Sequence, residues 1–136
     1  MIVDTGPVVA LLASSDSWHA WTKQQFDMLA PPLLTCEGVV TEAAYLLNRS
    51  RGGVSALLGL LARGVLEIRF SLQAEIGPIE RLMRRYASVP MSLPDACLVR
   101  MSELYASSTV LTLDSDFSVY RRNGRQTIPL VAPRIN

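Results

Sequence analysis

An α/β fold, with a parallel sheet covered by helices on both faces, is what the sequence predicts. Short apolar, β-branched runs recur at Ile2–Val3, Leu33–Cys36, Val65–Phe70, Thr109–Leu113 and Ile128–Val131. Between them lie longer stretches with apolar residues at helical spacing, and strands alternating with helices imply parallel crossovers. The Thr109–Leu113 run is also nearly continuous in its apolar and β-branched character, as a strand buried on both faces requires. The chain has 136 residues, 49% of them hydrophobic. That fits one domain, residues 1–136, with a core that needs no disulfide.

The elements follow in order. After Asp4, Gly6-Pro7 leads into Val8, Val9, Leu11 and Leu12, a first helix with proline near its start. Asp16 or Ser17 is placed to cap a second helix through Trp18, Trp21, Phe26 and Leu29, which Pro31-Pro32 ends. Beyond the Leu33–Cys36 strand, residues 37–49 set Val39, Ala43, Leu46 and Leu47 at helical spacing. Gly52-Gly53 breaks the chain, and a further helix carries Leu57, Leu58, Leu60 and Leu61 up to Gly64. A helix from about Leu72 to Tyr86 follows the third strand. Pro90 and Pro94 bracket a loop, and Pro94 opens a helix through Leu98, Met101 and Tyr105.

Several classes are excluded. No apolar run approaches the ~18 residues of a membrane span. The start lacks the basic and cleavage segments of a secretory leader, so a cytoplasmic location is expected. The net charge of +1 is not that of a polycation. Lys23 is the only lysine, and the arginines cluster at Arg49/Arg51, Arg81/Arg84/Arg85 and Arg121/Arg122/Arg125. Two explanations stay open for them: solvated faces, or bidentate contact with phosphate. Cys36 and Cys97 with one histidine make a poor zinc site and are expected in the core. There is no phosphate-binding Gly-x-x-x-x-Gly-Lys loop and no Gly-x-Gly-x-x-Gly. The segment from Asp114 lacks the glycine and final glutamate of a calcium loop; Arg125 stands where the glutamate belongs. His19, on a surface helix, is not expected to be catalytic.

The acids carry more information. Asp4 and Asp114 each sit where a predicted strand ends, and open parallel sheets bind ligands outside the carboxyl ends of their strands. Glu42 lies three residues after Val39 and four before Leu46, on the apolar side of its helix. Asp95 occupies the first turn after Pro94, on the face of Leu98, Val99 and Ser102. Taken alone, each has an ordinary explanation: a helix-start acid, a turn at Asp114-Ser115-Asp116, a strand-end cap, an ion pair with arginine. Taken together, they are inward-facing charges that need compensation, and a divalent cation supplies it. With no credible protein base, a metal-activated water is the natural nucleophile.

Four segments carry a family resemblance: Asp4-Thr5-Gly6 after the first strand, Thr41-Glu42-Ala43, Leu93-Pro94-Asp95-Ala96, and Leu111-Thr112-Leu113-Asp114-Ser115-Asp116-Phe117. In order and spacing they resemble the acidic blocks of PIN domains, most of all VapC-type toxins of bacterial toxin–antitoxin pairs. The resemblance implies a three-layer α/β/α sandwich with about five parallel strands, and endonucleolytic cleavage of single-stranded or looped RNA with Mg²⁺ or Mn²⁺. It implies Asp4, Asp95 and Asp114 as metal ligands, Glu42 completing the acidic quartet, Asp116 as an accessory acid and Thr112 as a hydroxyl that orients the ligands. It implies an antitoxin partner. Trp18 and Trp21 have two readings: contacts for that partner, since aromatics are enriched at interfaces, or cover for the chain's own core; a homodimer is also expected. Gly6 departs from the pattern, since many relatives carry serine there. A housekeeping RNA-processing nuclease and a non-catalytic binding or regulatory module are the alternatives.

Overall fold

Five strands pair in parallel in the order β3-β2-β1-β4-β7. They are β1 (Ile2–Val3), β2 (Leu33–Thr35), β3 (Leu66–Ile68), β4 (Val110–Leu111) and β7 (Leu130–Val131). The computed structural model describes residues 1–134, so the last two residues of the expected domain lie outside it. The helices between the strands are α1 (Thr5–Leu12), α2 (His19–Met28), α3 (Glu37–Leu46), α4 (Gly53–Ala62), α5 (Ile76–Arg85) and α6 (Leu93–Leu104). Among the described residues no helix is long and apolar enough to cross a membrane.

The strand order fixes where a site can form. From β1 the chain steps outward to β2 and β3, then returns to place β4 on the other side of β1. The sheet therefore changes direction between β1 and β4, and the crevice at their carboxyl ends is a topological switch point. The register pairs Ile2 with Val110 and Val3 with Leu111. All four are fully buried, which holds the two strand ends level. Thr35 at the end of β2 adds a buried bond from its hydroxyl to the Val3 carbonyl at 3.0 Å.

The elements are shorter than their sequence patterns. The Thr109–Leu113 run forms ladder pairs only at Val110–Leu111, and Val65–Phe70 only at Leu66–Ile68. Cys36 is not strand but the residue that precedes α3. Helix α3 stops at Leu46 rather than residue 49, and α5 starts at Ile76 rather than Leu72. Asp16 does not cap α2 directly. Its Oδ1 accepts from the Trp18 N–H at 2.8 Å in a turn, and the helix begins at His19.

One element was not expected. β5 (Arg121–Arg122) and β6 (Gln126–Thr127) form an antiparallel hairpin. Its turn places Asn123 at φ 52° and Gly124 at φ 80°, left-handed conformations that asparagine and glycine tolerate. At Gly6, a Cβ would lie 3.2 Å from the Leu113 Cβ; the missing side chain lets α1 approach the segment after β4.

Candidate active site

Each acid near the strand ends is held by local backbone chemistry. Asp4 is the N-cap of α1, and its Oδ1 accepts from the Thr5 N–H at 2.7 Å. The β1–β4 register brings Thr112 beside it, where the hydroxyl donates to Asp4 Oδ2 at 2.8 Å. The same Thr112 oxygen accepts from the Asp114 N–H at 2.9 Å, so one buried hydroxyl ties the two strand ends together. Asp114 caps a single 3-10 turn, Ser115–Ser118, its Oδ1 accepting from the Asp116 N–H at 2.8 Å.

Asp95 belongs to a capping box on α6. Its N–H donates to Ser92 Oγ at 3.1 Å, while the Ser92 N–H donates to Asp95 Oδ2 at 3.2 Å. The Tyr120 hydroxyl donates to the same oxygen at 3.1 Å. Glu42 is exposed rather than turned inward, which corrects the expectation from its spacing. Thr5 Oγ1 donates to its Oε2 at 3.0 Å. The helical period does place Glu42 toward the crevice, but the crevice is open there.

Asp4, Glu42, Asp95, Asp114 and Asp116 line one cavity of about 400 Å³ with Thr5, Gly6, Leu46, Pro90, Ser92 and Leu113. No lysine, arginine or histidine lines it. The ion pairs found among the described residues join Arg69 to Glu67 and Arg100 to Glu75 and Glu103; none involves these acids. The cost appears as proton affinity. Burial, partly offset by the Thr112 and Thr5 hydrogen bonds, raises Asp4 from 3.8 to about 6, with Asp95 and Asp114 adding repulsion. Burial likewise raises Asp95, against its hydrogen bonds and with repulsion from Asp114.

Among the described residues no group of three His, Cys, Asp or Glu side chains is gathered so that it could hold a metal as it stands. Asp4, Glu42, Asp95 and Asp114 each accept from separate N–H or O–H donors, and Asp95 and Asp114 repel Asp4. The chemistry of the set nevertheless fits a hard divalent cation. It is all oxygen, anionic and without counter-charge. Asp95 Oδ1, Asp114 Oδ2 and Glu42 Oε1 accept no hydrogen bond within the described protein.

A family model described as PIN domain matches residues 1–123. The chain belongs to the PIN-domain family. Among curated proteins it is similar to "Ribonuclease VapC26" of Mycobacterium tuberculosis, 33% identical over 128 residues that cover 91% of this chain and 94% of the relative. A solved structure, that of Mycobacterium tuberculosis VapC20, a "Sarcin-Ricin loop cleaving toxin", superposes with a TM-score of 0.76. It shares 22% identity over 87% of this chain and 92% of its own, and it shows the sandwich fold.

The other sequence candidates fall elsewhere. The Nδ1 of His19 lies 2.8 Å from the Ala10 carbonyl and serves the α1–α2 packing. Cys36 and Cys97 are buried in the core as expected. Trp18 and Trp21 are half-buried and meet edge to face at 6.3 Å, with Trp21 packed on the core. Arg121 gives one guanidinium nitrogen to the carbonyls of Ser118, Val119 and Tyr120, and Arg122 bonds those of Ser102 and Ala106. These two are architectural, not free phosphate ligands.

Thr5, Ser92 and Tyr120 are site residues that the sequence reading passed over. Ser92 is announced by the Ser-x-x-Asp pattern of a capping box. Thr5 stands inside the Asp4-Thr5-Gly6 block, but its bond to Glu42 is long-range, and nothing local announces Tyr120.

Proposed function

We propose that the protein is a metal-dependent endoribonuclease acting on single-stranded or looped RNA, the toxin of a VapC-type toxin–antitoxin pair. The observation that carries this is the cavity at the β1–β4 switch point, with five carboxylates and no counter-charge. Likeness to a ribonuclease VapC supplies the reaction class. Asp4, Asp95 and Asp114 would hold Mg²⁺ or Mn²⁺, with Glu42 and Asp116 completing the acidic wall. When bound, such an ion lowers the pKa of a water and stabilises charge on the phosphoryl group being attacked.

The chain's own residues prepare the site. Thr112 fixes Asp4 relative to Asp114, Thr5 holds Glu42 at the rim, and the α6 capping box sets Asp95. Burial of Asp4 excludes water that would screen its charge. Exposed Arg49 lines a small cavity that shares Leu46 with the acidic one, and its guanidinium is a candidate for a flanking phosphate of the RNA.

The partners follow from the same surface. An antitoxin side chain bearing arginine or lysine would neutralise the acids and exclude the metal. An apolar cavity of about 850 Å³ adjoins the site, sharing Glu42 and Ser92 and lined by Tyr45, Phe70, Leu72, Leu93 and Pro94. Tyr45 is 77% exposed and Leu93 44%, an apolar rim suited to a second copy in a homodimer.

The test is cleavage of end-labelled RNA by purified protein. Mg²⁺ or Mn²⁺ is expected to support it and excess EDTA to abolish it. Cleavage undiminished in EDTA would overturn the mechanism. Co-expression with a cognate antitoxin is expected to suppress cleavage in a stable complex.

A further inference from the structure

Tyr120 is fully buried, yet its hydroxyl reaches the acidic cavity's wall. The ring is clamped on two sides. Phe117, also fully buried, meets it edge to face at 5.2 Å, and Tyr86 does the same at 5.2 Å. Tyr86 is itself fixed, because its hydroxyl accepts from the Arg121 N–H at 2.8 Å. Such edge-to-face packing leaves a phenol little rotational freedom. The hydroxyl therefore lies where the 3-10 turn and the start of the hairpin put it: 3.1 Å from Asp95 Oδ2.

That oxygen already accepts from the Ser92 N–H at 3.2 Å. Two donors on Oδ2, and none from the described protein on Oδ1, make the two oxygens of Asp95 unlike. A carboxylate on a helix's first turn otherwise turns about its χ2, a broad and nearly two-fold torsion. The Ser92 bond alone restrains it from the helix side, and the Tyr120 bond adds a restraint from the buried core. The burial of Tyr120 also has a cost that its hydrogen bond offsets, since a buried hydroxyl without a partner is unfavourable.

We infer that Tyr120 is a positioning residue: by holding Asp95 Oδ2, its hydroxyl presents Oδ1 to the divalent cation of the proposed nuclease. The inference rests on the metal-dependent reading above and adds to it the device that sets one ligand. Tyr120 touches neither substrate nor metal in this role; it acts through Asp95. The hairpin thereby gains a function, since the Arg121 bond to Tyr86 and the ring stack carry its placement to the site.

The experiment is Mn²⁺ titration of the RNA-free protein, reading free Mn²⁺ by electron paramagnetic resonance, for wild type, Tyr120→Phe, Tyr86→Phe and Asp95→Asn. Tyr120→Phe keeps the ring and removes only the oxygen. It is expected to weaken Mn²⁺ binding about tenfold or more, as loss of an outer hydrogen bond to a metal ligand does. Tyr86→Phe, which keeps the ring stack and loses only the outer bond from the Arg121 N–H, is expected to weaken Mn²⁺ binding less than Tyr120→Phe does. A cleavage assay at saturating metal should show kcat reduced for Tyr120→Phe with KM for RNA unchanged. Equal Mn²⁺ affinity for wild type and Tyr120→Phe, with Asp95→Asn defective, would overturn the positioning role and leave the nuclease reading standing. No Mn²⁺ binding by wild type would overturn both. A fall in melting temperature with unchanged Mn²⁺ affinity would make Tyr120 merely structural and also overturns the inference.

Discussion

Around the β5–β6 hairpin and α6, Arg100 lies between Glu75 and Glu103, Arg121 holds three carbonyls and Arg122 two. The strand-end cavity is lined by five carboxylates and by no lysine, arginine or histidine. The first region uses charge as architecture: a guanidinium satisfies carbonyls that a short turn leaves without N–H partners. The second leaves charge unneutralised at an energetic cost, visible in the raised Asp4 and Asp95. An uncompensated charge that the fold maintains is a mark of function; a guanidinium spent on the chain's own carbonyls, however prominent in the sequence, is not.

The largest effect that would test this contrast is on activity. Asp4→Asn and Asp95→Asn keep shape and remove charge. Each is expected to lower metal-dependent RNA cleavage by at least about 100-fold, since a bound metal contributes several kcal/mol. Far-UV circular dichroism should show the fold retained. Near-normal turnover in either variant would remove that acid from the site.

A smaller effect concerns pH and the metal-free protein. Burial raises the Asp4 pKa from the ordinary 3.8 to about 6 in the folded protein. The folded state thus binds the proton more tightly, and ionisation of Asp4 destabilises it as pH rises from about 4 to above 6. At about 1.4 kcal/mol per pKa unit, the full penalty is about 3 kcal/mol. Asp4→Asn removes it, less the cost of rearranging the Thr112 bond. The melting-temperature difference between Asp4→Asn and wild type should be small near pH 4 and should grow in favour of the variant by pH 7.5. Saturating Mg²⁺ should erase that advantage, because the ion stabilises only the wild-type carboxylate. A difference that does not change with pH would show that the charge of Asp4 is compensated after all.

The smallest effect lies in the paired region. Arg121→Ala removes the donor to three carbonyls and is expected to cost about 1–2 kcal/mol, a shift of a few degrees in thermal melting, with RNA cleavage at a temperature well below the transition little changed. Loss of cleavage without loss of stability would place Arg121 in the RNA-binding surface and give the paired region a functional charge.

Much of this arrangement is written locally. The strand and helix periods lay out the parallel sheet, and Asp4 and Asp114 were identifiable as strand-end acids because a strand ending in aspartate before a turn is a short-range pattern. Ser92 and the Asn123-Gly124 turn were also legible in principle, as a capping box and a hairpin dipeptide. Helix ends were less so: α3 and α5 fall short of their apolar spacing because packing, not propensity, decides where a helix frays.

What the sequence alone determined is the fold class and the set of acids, since hydrophobic period and residue type are properties of neighbours along the chain. Only the tertiary structure decided which charges are bonded and which are free. The Thr112 bridge between Asp4 and Asp114 needs the β1–β4 register, the Thr5 bond to Glu42 joins residues 37 apart, and the Tyr120 bond to Asp95 spans 25. Hydrogen bonds act over about 3 Å, so no pattern in the linear chain can reveal them until the sheet has brought its strand ends together.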